Sequence, residues 1–159
     1  MIKLPDIGNN SPEVCLLAAN GEMMDLKNYM GKWVVLYFYP RDNTPGCTKE
    51  ATEFSAAMKD FHDLDTVIMG VSPDSVESHQ KFANKHDLDI NLLSDPDHSV
   101  LENFNAWVKK KMYGKEHMGV QRSTYLIDPD GKVAHVWPKV KVNGHVDEVK
   151  AKLEELRGA

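Results

Sequence analysis

The feature that most constrains the fold is the uncharged run Trp33–Tyr39, WVVLYFY, which Pro40 ends. A short run of β-branched and aromatic residues is typical of a central strand that is covered on both faces. After the turn that follows, apolar residues recur at positions 47, 51, 54, 58 and 61. This is the spacing of one helix face and predicts a helix of about four turns.

The next segments repeat this order. A second buried strand is predicted at Thr66–Val71, and a helix at Ser75–His86. Strand, helix, strand, helix implies parallel strands joined by right-handed crossovers. Leu92-Leu93 leads to a short helix near Ser99–Phe104, and the stretch from Trp107 to Gly119 is predicted to be less regular.

Turn signals predict two hairpins, one near each end of the chain. The first consists of Val14–Ala18 and Met23–Leu26 around an Asn-Gly turn. The second joins Ser123–Ile127 to Val133–Trp137 through an Asp-Pro-Asp-Gly turn, and a helix at about Val146–Leu156 follows. The predicted fold class is therefore α/β, a mixed sheet flanked by helices with an N-terminal β-hairpin extension. With no linker or repeat, residues 1–159 are expected to form a single domain.

Composition excludes several classes of function. The formal net charge of −5 disfavours nucleic-acid binding, and no run approaches the roughly 18 apolar residues of a membrane span. The start, MIKLPDIGNN, does not resemble a secretory signal, so a cytoplasmic location is expected. The chain has only two cysteines, without a Cys-x-x-Cys pair, and its seven histidines show no metal-binding spacing, so neither a disulfide scaffold nor a metal site is predicted.

Cys47 is the candidate for the catalytic residue. If Thr44 is the N-cap of the predicted helix, Pro45 is its first residue and Cys47 its third. Unpaired backbone N–H groups and the positive end of the helix dipole then favour a thiolate, the nucleophilic form of cysteine. The alternative is that Cys47 only packs on the buried helix face. Gly46 beside it, and its place at the C-terminal edge of the sheet, favour reactivity.

The segment from Phe38 to Glu50, FYPRDNTPGCTKE, resembles the active-site loop of the peroxiredoxins, whose signature is Pro-x-x-x-Thr/Ser-x-x-Cys. Its Thr-Pro-Gly-Cys-Thr form is similar to the bacterioferritin comigratory protein (Q-type) branch. The resemblance continues through Met112–Lys115, Gly119–Thr124 and Lys139–Val142, and so covers most of the chain. It implies a thioredoxin-like fold, in agreement with the element order.

The resemblance also implies that the Cys47 thiolate attacks a hydroperoxide and becomes a sulfenic acid. Thr44 would hydrogen-bond the peroxide and the thiolate, and Arg122 would stabilise the thiolate and the leaving oxygen. Taken alone, Arg122 would be read as part of a surface salt bridge. Pro40 would shield the sulfur from water. No cofactor is expected.

Two further residues complete the predicted site. The backbone N–H groups of Cys47 and Gly46 would bind the peroxide. Glu50 resembles the acidic or amide residue that orients Thr44 and Arg122 in the family. The alternative for Glu50 is a solvated carboxylate favoured by the helix dipole.

The chain departs from the family at the resolving cysteine. The two usual positions are Thr52 and, in the next helix, Ala83, so both intramolecular routes are absent unless a cysteine was removed by engineering. Cys15 is the only other thiol and should point away from the inward-facing Val14 and Leu16. One alternative is that Cys15 resolves the sulfenic acid, within the chain or between two chains. The favoured hypothesis is a one-cysteine cycle in which thioredoxin, glutaredoxin or glutathione attacks the sulfenic acid directly.

Two alternatives use the same cysteine. A redox sensor would signal through the oxidation of Cys47 and needs only an accessible thiol. A disulfide oxidoreductase is weakened by the missing Cys-x-x-Cys. The set of Pro40, Thr44, Cys47 and Arg122 favours a peroxidase, with a monomer expected, or else a weak dimer.

Overall fold

The computed structural model describes residues 6–158, apart from the side chain of Met112. These residues form nine strands and five α-helices. Seven strands build one mixed sheet in the order β2-β1-β5-β4-β3-β8-β9, and β6 and β7 form a separate two-stranded ribbon. The strands are β1 Cys15–Ala18, β2 Met23–Asp25, β3 Trp33–Phe38, β4 Thr66–Ser72, β5 Asn91–Ser94, β6 Trp107–Met112, β7 Lys115–Val120, β8 Ser123–Ile127 and β9 Val133–Trp137. The helices are α1 Pro45–Ala56, α2 Met58–Asp63, α3 Val76–His86, α4 Ser99–Asn103 and α5 His145–Arg157.

The strand β3 lies in the middle of the sheet, as its sequence predicts. It pairs in parallel with β4 and antiparallel with β8, and β4 pairs in parallel with β5. Val34, Leu36 and Phe38 belong to one buried cluster, whereas Val35 and Tyr37 belong to a second cluster on the other face. The prediction of a strand covered on both faces is confirmed, and the second cluster is the one that contacts α1.

The N-terminal hairpin joins the main sheet. Its Asn-Gly turn is formed as predicted, with Gly21 at a φ of 85°. The strand β1 pairs antiparallel with β5, so the hairpin forms the outer edge of the sheet and is not a separate extension. Cys15 therefore lies three strand spacings from β3.

The predicted length of the helix that contains Cys47 is wrong, because the helix is interrupted at Ala57. The backbone of Ala57 has φ −93° and ψ 3°, and its N–H is shared among three carbonyls of the last turn of α1. A second, short helix, α2, then continues to Asp63. Phe54 and Phe61 nevertheless pack in the same cluster. The apolar spacing thus predicts which face is buried, but it does not show the break.

The stretch from Trp107 to Gly119, predicted to be less regular, is a second correction. It forms the hairpin β6–β7, whose turn places Tyr113 and Gly114 at φ values of 54° and 77°. Two adjacent residues with positive φ are typical of a tight hairpin turn. The strands were not recognised because their middle is charged rather than apolar, as in Lys109–Lys111.

The remaining elements agree with the sequence. The second predicted hairpin is β8–β9, and the last predicted helix is α5. The helix α3 begins after Ser75, whose hydroxyl accepts a hydrogen bond from the N–H of Ser78 as an N-cap. No helix among residues 6–158 is long and apolar enough to cross a membrane.

Candidate active site

Cys47 lies at the C-terminal edge of the sheet, at the start of α1. The strand β3 ends before the half-buried Pro40, and Thr44 is the N-cap residue, with extended backbone angles. Pro45 is the first helical residue, so Cys47 is the third, as predicted. Only 1% of Cys47 is exposed, and it packs with Tyr37 in the second cluster. The cysteine is therefore both a core residue and a residue of the helix N-terminus.

Arg122 connects Cys47 to a buried carboxylate. It lies between β7 and β8, and its Nη2 donates to the sulfur of Cys47 at 3.1 Å. Its Nη1 donates to Oε1 of Glu50 at 2.6 Å. The fork of the guanidinium allows one side chain to hold both partners. The guanidinium thus places a fixed positive charge in direct contact with the sulfur.

Glu50 is completely buried, so its interpretation as a solvated carboxylate is wrong. Burial raises the pKa of Glu50 to about 7, although the Arg122 guanidinium acts in the opposite direction. Its Oε2 is buried and has no hydrogen-bond partner among residues 6–158. Burial also opposes the charge of Arg122, but Glu50 and Cys47 outweigh this effect and raise the pKa of the guanidinium. The ion pair of Arg122 is thus internal rather than a surface salt bridge.

Tyr37 is a residue of the site that the sequence did not indicate. Its hydroxyl is buried and has no hydrogen-bond partner in the described part of the chain. Burial, followed by the charges of Glu50 and Cys47, raises the pKa of Tyr37 well above its usual range, so the phenol stays neutral. A Cβ atom on Gly70 would lie 2.7 Å from this hydroxyl. Within the run Trp33–Tyr39, Tyr37 looks like one more core aromatic.

Gly46 leaves room for Arg122. A Cβ atom built on Gly46 would lie 3.3 Å from Nη2 of Arg122 and 3.9 Å from Cγ2 of Val142. The segment before α5 therefore also packs on the start of α1, where Lys49 donates to the side chain of Asn143. A side chain at position 46 would press on the guanidinium that contacts the sulfur.

The hydroxyl of Thr44 does not cap α1, and it does not form the predicted hydrogen bond to Cys47. It donates instead to the carbonyl of Arg41 at 3.0 Å, which leaves its lone pairs available to accept another hydrogen bond. The capping role and a substrate contact therefore do not compete. The position of Thr44 in the loop comes from its backbone, which begins the helix.

Cys15 has a different environment. It is exposed at the start of β1, while Val14 and Leu16 beside it are buried, as the alternation predicts. Three strand spacings place β1 roughly 14 Å from β3, the strand that leads into the loop before Cys47, whereas a disulfide needs Cα atoms within about 7 Å. Residues 6–158 also contain no group of three or more His, Cys, Asp or Glu side chains that could hold a metal ion.

A mixed sheet of the thioredoxin type, with a buried cysteine at a helix N-terminus and a guanidinium on its sulfur, defines a thiol-dependent redox enzyme. The profile of the AhpC/TSA family matches residues 7–136. Peroxiredoxin Bcp of Bacillus subtilis is 48% identical over 151 residues, which is 95% of this chain and 96% of that protein. The chain belongs to the AhpC/TSA family and is a peroxiredoxin, a thiol-dependent peroxidase, of the Bcp type.

Solved structures agree with this assignment. The bacterioferritin comigratory protein of Xanthomonas campestris is 40% identical, with a TM-score of 0.89 over 94% of this chain and 98% of that one. Peroxidoxin BcpB of Mycobacterium tuberculosis is 34% identical, with a TM-score of 0.82 over 98% of both chains. The thioredoxin-like peroxiredoxin fold expected from the sequence is thereby confirmed.

Proposed function

We propose that this chain reduces hydroperoxides, including alkyl hydroperoxides, with Cys47 as the nucleophile. The observation that carries the proposal is the 3.1 Å contact between Nη2 of Arg122 and the sulfur of Cys47. The thiolate attacks the terminal peroxide oxygen, an S–O bond forms and the O–O bond breaks. The sulfur is oxidised to a sulfenic acid, and the alkoxide that leaves takes a proton from solvent to become an alcohol. The Xanthomonas campestris relative is described with an alkyl peroxide reduction activity, which supports this substrate class.

In this mechanism Arg122 acts at two stages. Before the reaction its positive charge favours the thiolate of Cys47, and during the reaction it stabilises the negative charge that develops on the leaving oxygen. Glu50 holds the guanidinium at the required place through its 2.6 Å hydrogen bond. Because Glu50 and Cys47 bind different nitrogens, the Nη2 group remains directed at the sulfur.

The loop before Cys47 supplies the contacts to the peroxide. Thr44 accepts a hydrogen bond from the hydroperoxide through the lone pairs that its contact with Arg41 leaves available. The N–H groups of Gly46 and Cys47 are among the first backbone donors of α1, which lack partners within the helix, and they bind the peroxide oxygens. Pro40 limits the access of water. Since Cys47 is only 1% exposed, a slim terminal hydroperoxide can reach its sulfur more easily than a bulky reagent.

The sulfenic acid is resolved by an external thiol. Neither Thr52 nor Ala83 supplies a cysteine, and Cys15 lies on β1, three strands away from β3 in the sheet. A thiol of thioredoxin, glutaredoxin or glutathione attacks the sulfenic sulfur, water leaves, and a mixed disulfide forms. A second thiol of the reductant then releases the Cys47 thiolate. We propose that the enzyme works in the cytoplasm as a monomer, since the cycle needs no residue of a second copy.

The test is peroxide consumption with each reductant offered separately, for the wild type and for Cys47→Ser and Cys15→Ser. We expect Cys47→Ser to abolish consumption and Cys15→Ser to keep the wild-type rate with the preferred reductant. Full turnover by Cys47→Ser would contradict the peroxidase mechanism. A loss of turnover in Cys15→Ser, with rapid oxidation of Cys47 retained, would contradict the one-cysteine cycle alone.

A further inference from the structure

A second buried polar cluster lies behind the loop that carries Thr44, and the mechanism above does not use it. Its centre is the pair of Asp42, which is 8% exposed, and His79 on α3, which is fully buried. Nδ1 of His79 lies 2.7 Å from Oδ2 of Asp42. A buried ionisable pair at this place needs an explanation, because apolar side chains of similar volume are often at least as stable.

The ring of His79 is fixed at both nitrogens. Nε2 lies 2.9 Å from the carbonyl oxygen of Leu93, which can only accept, so Nε2 carries a hydrogen and donates it. The other nitrogen faces Asp42. The imidazole therefore connects β5, through Leu93, to the loop between β3 and α1, and it cannot rotate without losing a buried hydrogen bond.

Asp42 is held from several directions. Its Oδ1 accepts a hydrogen bond from the hydroxyl of Tyr39 at 2.6 Å, and its Oδ2 accepts another from the hydroxyl of Ser78 at 2.8 Å. Its backbone N–H donates to Oδ2 of Asp74 at 2.7 Å. In the loop of residues 41–44 only Asp42 is buried. Asn43 also joins the loop to α3, since its Oδ1 lies 3.0 Å from Nε2 of His86, but that contact is exposed. The buried anchoring of this loop to α3 therefore runs through Asp42.

We infer that His79 is a positioning residue for peroxide reduction. By holding Asp42 it fixes the loop of residues 41–44, and with it Thr44 and the first backbone N–H groups of α1. Asn43 has a φ of 62°, in the left-handed region, so the loop is held in a conformation that it would rarely adopt without anchoring. The inference rests on the proposed function, since it assigns its effect to the peroxide contacts of Thr44.

The loss of this positioning should have a measurable effect on the rate of Cys47 oxidation. A displacement of about 1 Å at a reacting group can cost about a hundredfold in rate. The ring of His79 makes no hydrogen bond to Cys47; among residues 6–158 its partners are Asp42, Leu93 and the Tyr39 hydroxyl. Its removal should therefore leave the contact of Arg122 with the sulfur intact and loosen only the side of the site that carries Thr44.

Two amide substitutions separate positioning from stability. The amide nitrogen of Asn in His79→Asn can take the place of Nδ1 and still donate to Asp42, whereas the amide nitrogen of Gln in His79→Gln can take the place of Nε2 and donate to Leu93. Each variant loses one buried hydrogen bond, so both should melt at lower temperature. We expect His79→Gln to slow the oxidation of Cys47 by peroxide roughly tenfold or more, and His79→Asn to stay within about twofold of the wild type.

A second pair of variants applies if His79→Gln does not fold. Ser78→Ala removes one hydrogen bond to Asp42, and we expect it to slow oxidation about threefold. Ser75→Ala is the matched control, because it removes the N-cap of α3 without touching Asp42. We expect Ser75→Ala to lower the melting temperature at least as much and to keep the wild-type rate.

Amide hydrogen exchange in residues 41–44 measures how firmly this loop is anchored, and it does not require the enzyme to turn over peroxide. It should become faster in His79→Gln and remain slow in His79→Asn. Equal rates and equal exchange in these two variants, or equal rates in Ser78→Ala and Ser75→Ala, would overturn the inference. A wild-type chain that did not consume peroxide would instead contradict the proposed function, which the exchange measurement does not require.

Discussion

The two cysteines of the chain lie in very different surroundings. Cys15 is exposed on the edge hairpin of the sheet, whereas Cys47 is buried at the start of α1 with a guanidinium on its sulfur. Exposure alone would favour Cys15 as the reactive thiol. The structure instead places the guanidinium of Arg122 and the N-terminus of α1 at Cys47, so the surroundings of the sulfur, rather than its accessibility, distinguish the two residues.

The largest expected effect comes from removing the guanidinium. Arg122→Ala should slow the reaction of Cys47 with peroxide by about 10²–10³-fold, because the charge that favours the thiolate and the leaving oxygen is lost. The fold should persist, since a Glu50 without its partner can take up a proton. Single-turnover kinetics and thermal unfolding measure the two properties separately.

Two further variants sharpen this prediction. Arg122→Lys keeps the charge but cannot hold Glu50 and Cys47 at once, so we expect an intermediate rate. Arg157→Ala, on the exposed end of α5, is the control and should leave the rate unchanged. Wild-type kinetics in Arg122→Ala would mean that the helix N-terminus alone distinguishes Cys47 from Cys15.

A smaller effect is expected in the pH dependence of stability. The pKa of Glu50 is about 7 in the folded chain, compared with 4.5 for a carboxyl exposed to water, as in the unfolded chain. Between these pH values the folded chain keeps a proton that the unfolded chain releases. The free energy of unfolding should therefore fall as pH rises from 4.5 to 7, by at most about 3 kcal/mol from this group. Glu50→Gln should remove that part of the slope.

Chemical denaturation at pH 5 and pH 7.5 measures this difference. Other groups titrate in the same range, so the quantity to compare is the pH-dependent change in wild type minus that in Glu50→Gln. Glu116→Gln, at an exposed position of β7, is the matched control. Identical losses of stability in wild type and Glu50→Gln would show that the carboxyl of Glu50 does not titrate in this window.

The smallest effect is expected at Gly46. In Gly46→Ala the new methyl group would lie 3.3 Å from Nη2 of Arg122 and displace it by a few tenths of an ångström. We expect the rate of Cys47 oxidation to fall several-fold, about 1 kcal/mol, while stability is kept or slightly raised by the better helix former. Thr52→Ala, nearly two turns farther along α1, is the control and should leave the rate unchanged. A Gly46→Ala enzyme with unchanged kinetics would show that the guanidinium tolerates displacement.

The sequence was most informative where the interactions are local. The start of α1 at Pro45 follows from turn residues next to one another, and so does the hairpin β8–β9. The contact between Arg122 and Cys47 joins residues 75 positions apart, and only resemblance to a family pointed to it. Long-range contacts of this kind depend on the complete fold and cannot be read from spacing.

The sequence did not show that two polar residues are buried: His79 was not predicted as a site residue, and for Glu50, which was predicted as one, a solvated carboxylate remained an alternative. Glu50 and His79 are fully buried, although charged and polar side chains are mostly exposed. Their burial depends on partners from other elements, Arg122 and Asp42, that become neighbours only in the folded chain. The β6–β7 hairpin was missed for a different reason: the side chains of β6 that the structure describes are half-buried or exposed, so they give no alternating apolar pattern.

Gly70 has a consequence for how this chain can vary during evolution. It lies directly opposite Tyr37 in the pairing of β4 with β3, and the Tyr37 hydroxyl occupies the space where a side chain at position 70 would begin. A larger residue could be accommodated there only if residue 37 became smaller, and Tyr37 belongs to the same buried cluster as Cys47. The residues at positions 37 and 70 are therefore expected to change together. Selection on the active site would then also restrict which residue can occupy position 70, in the middle of β4.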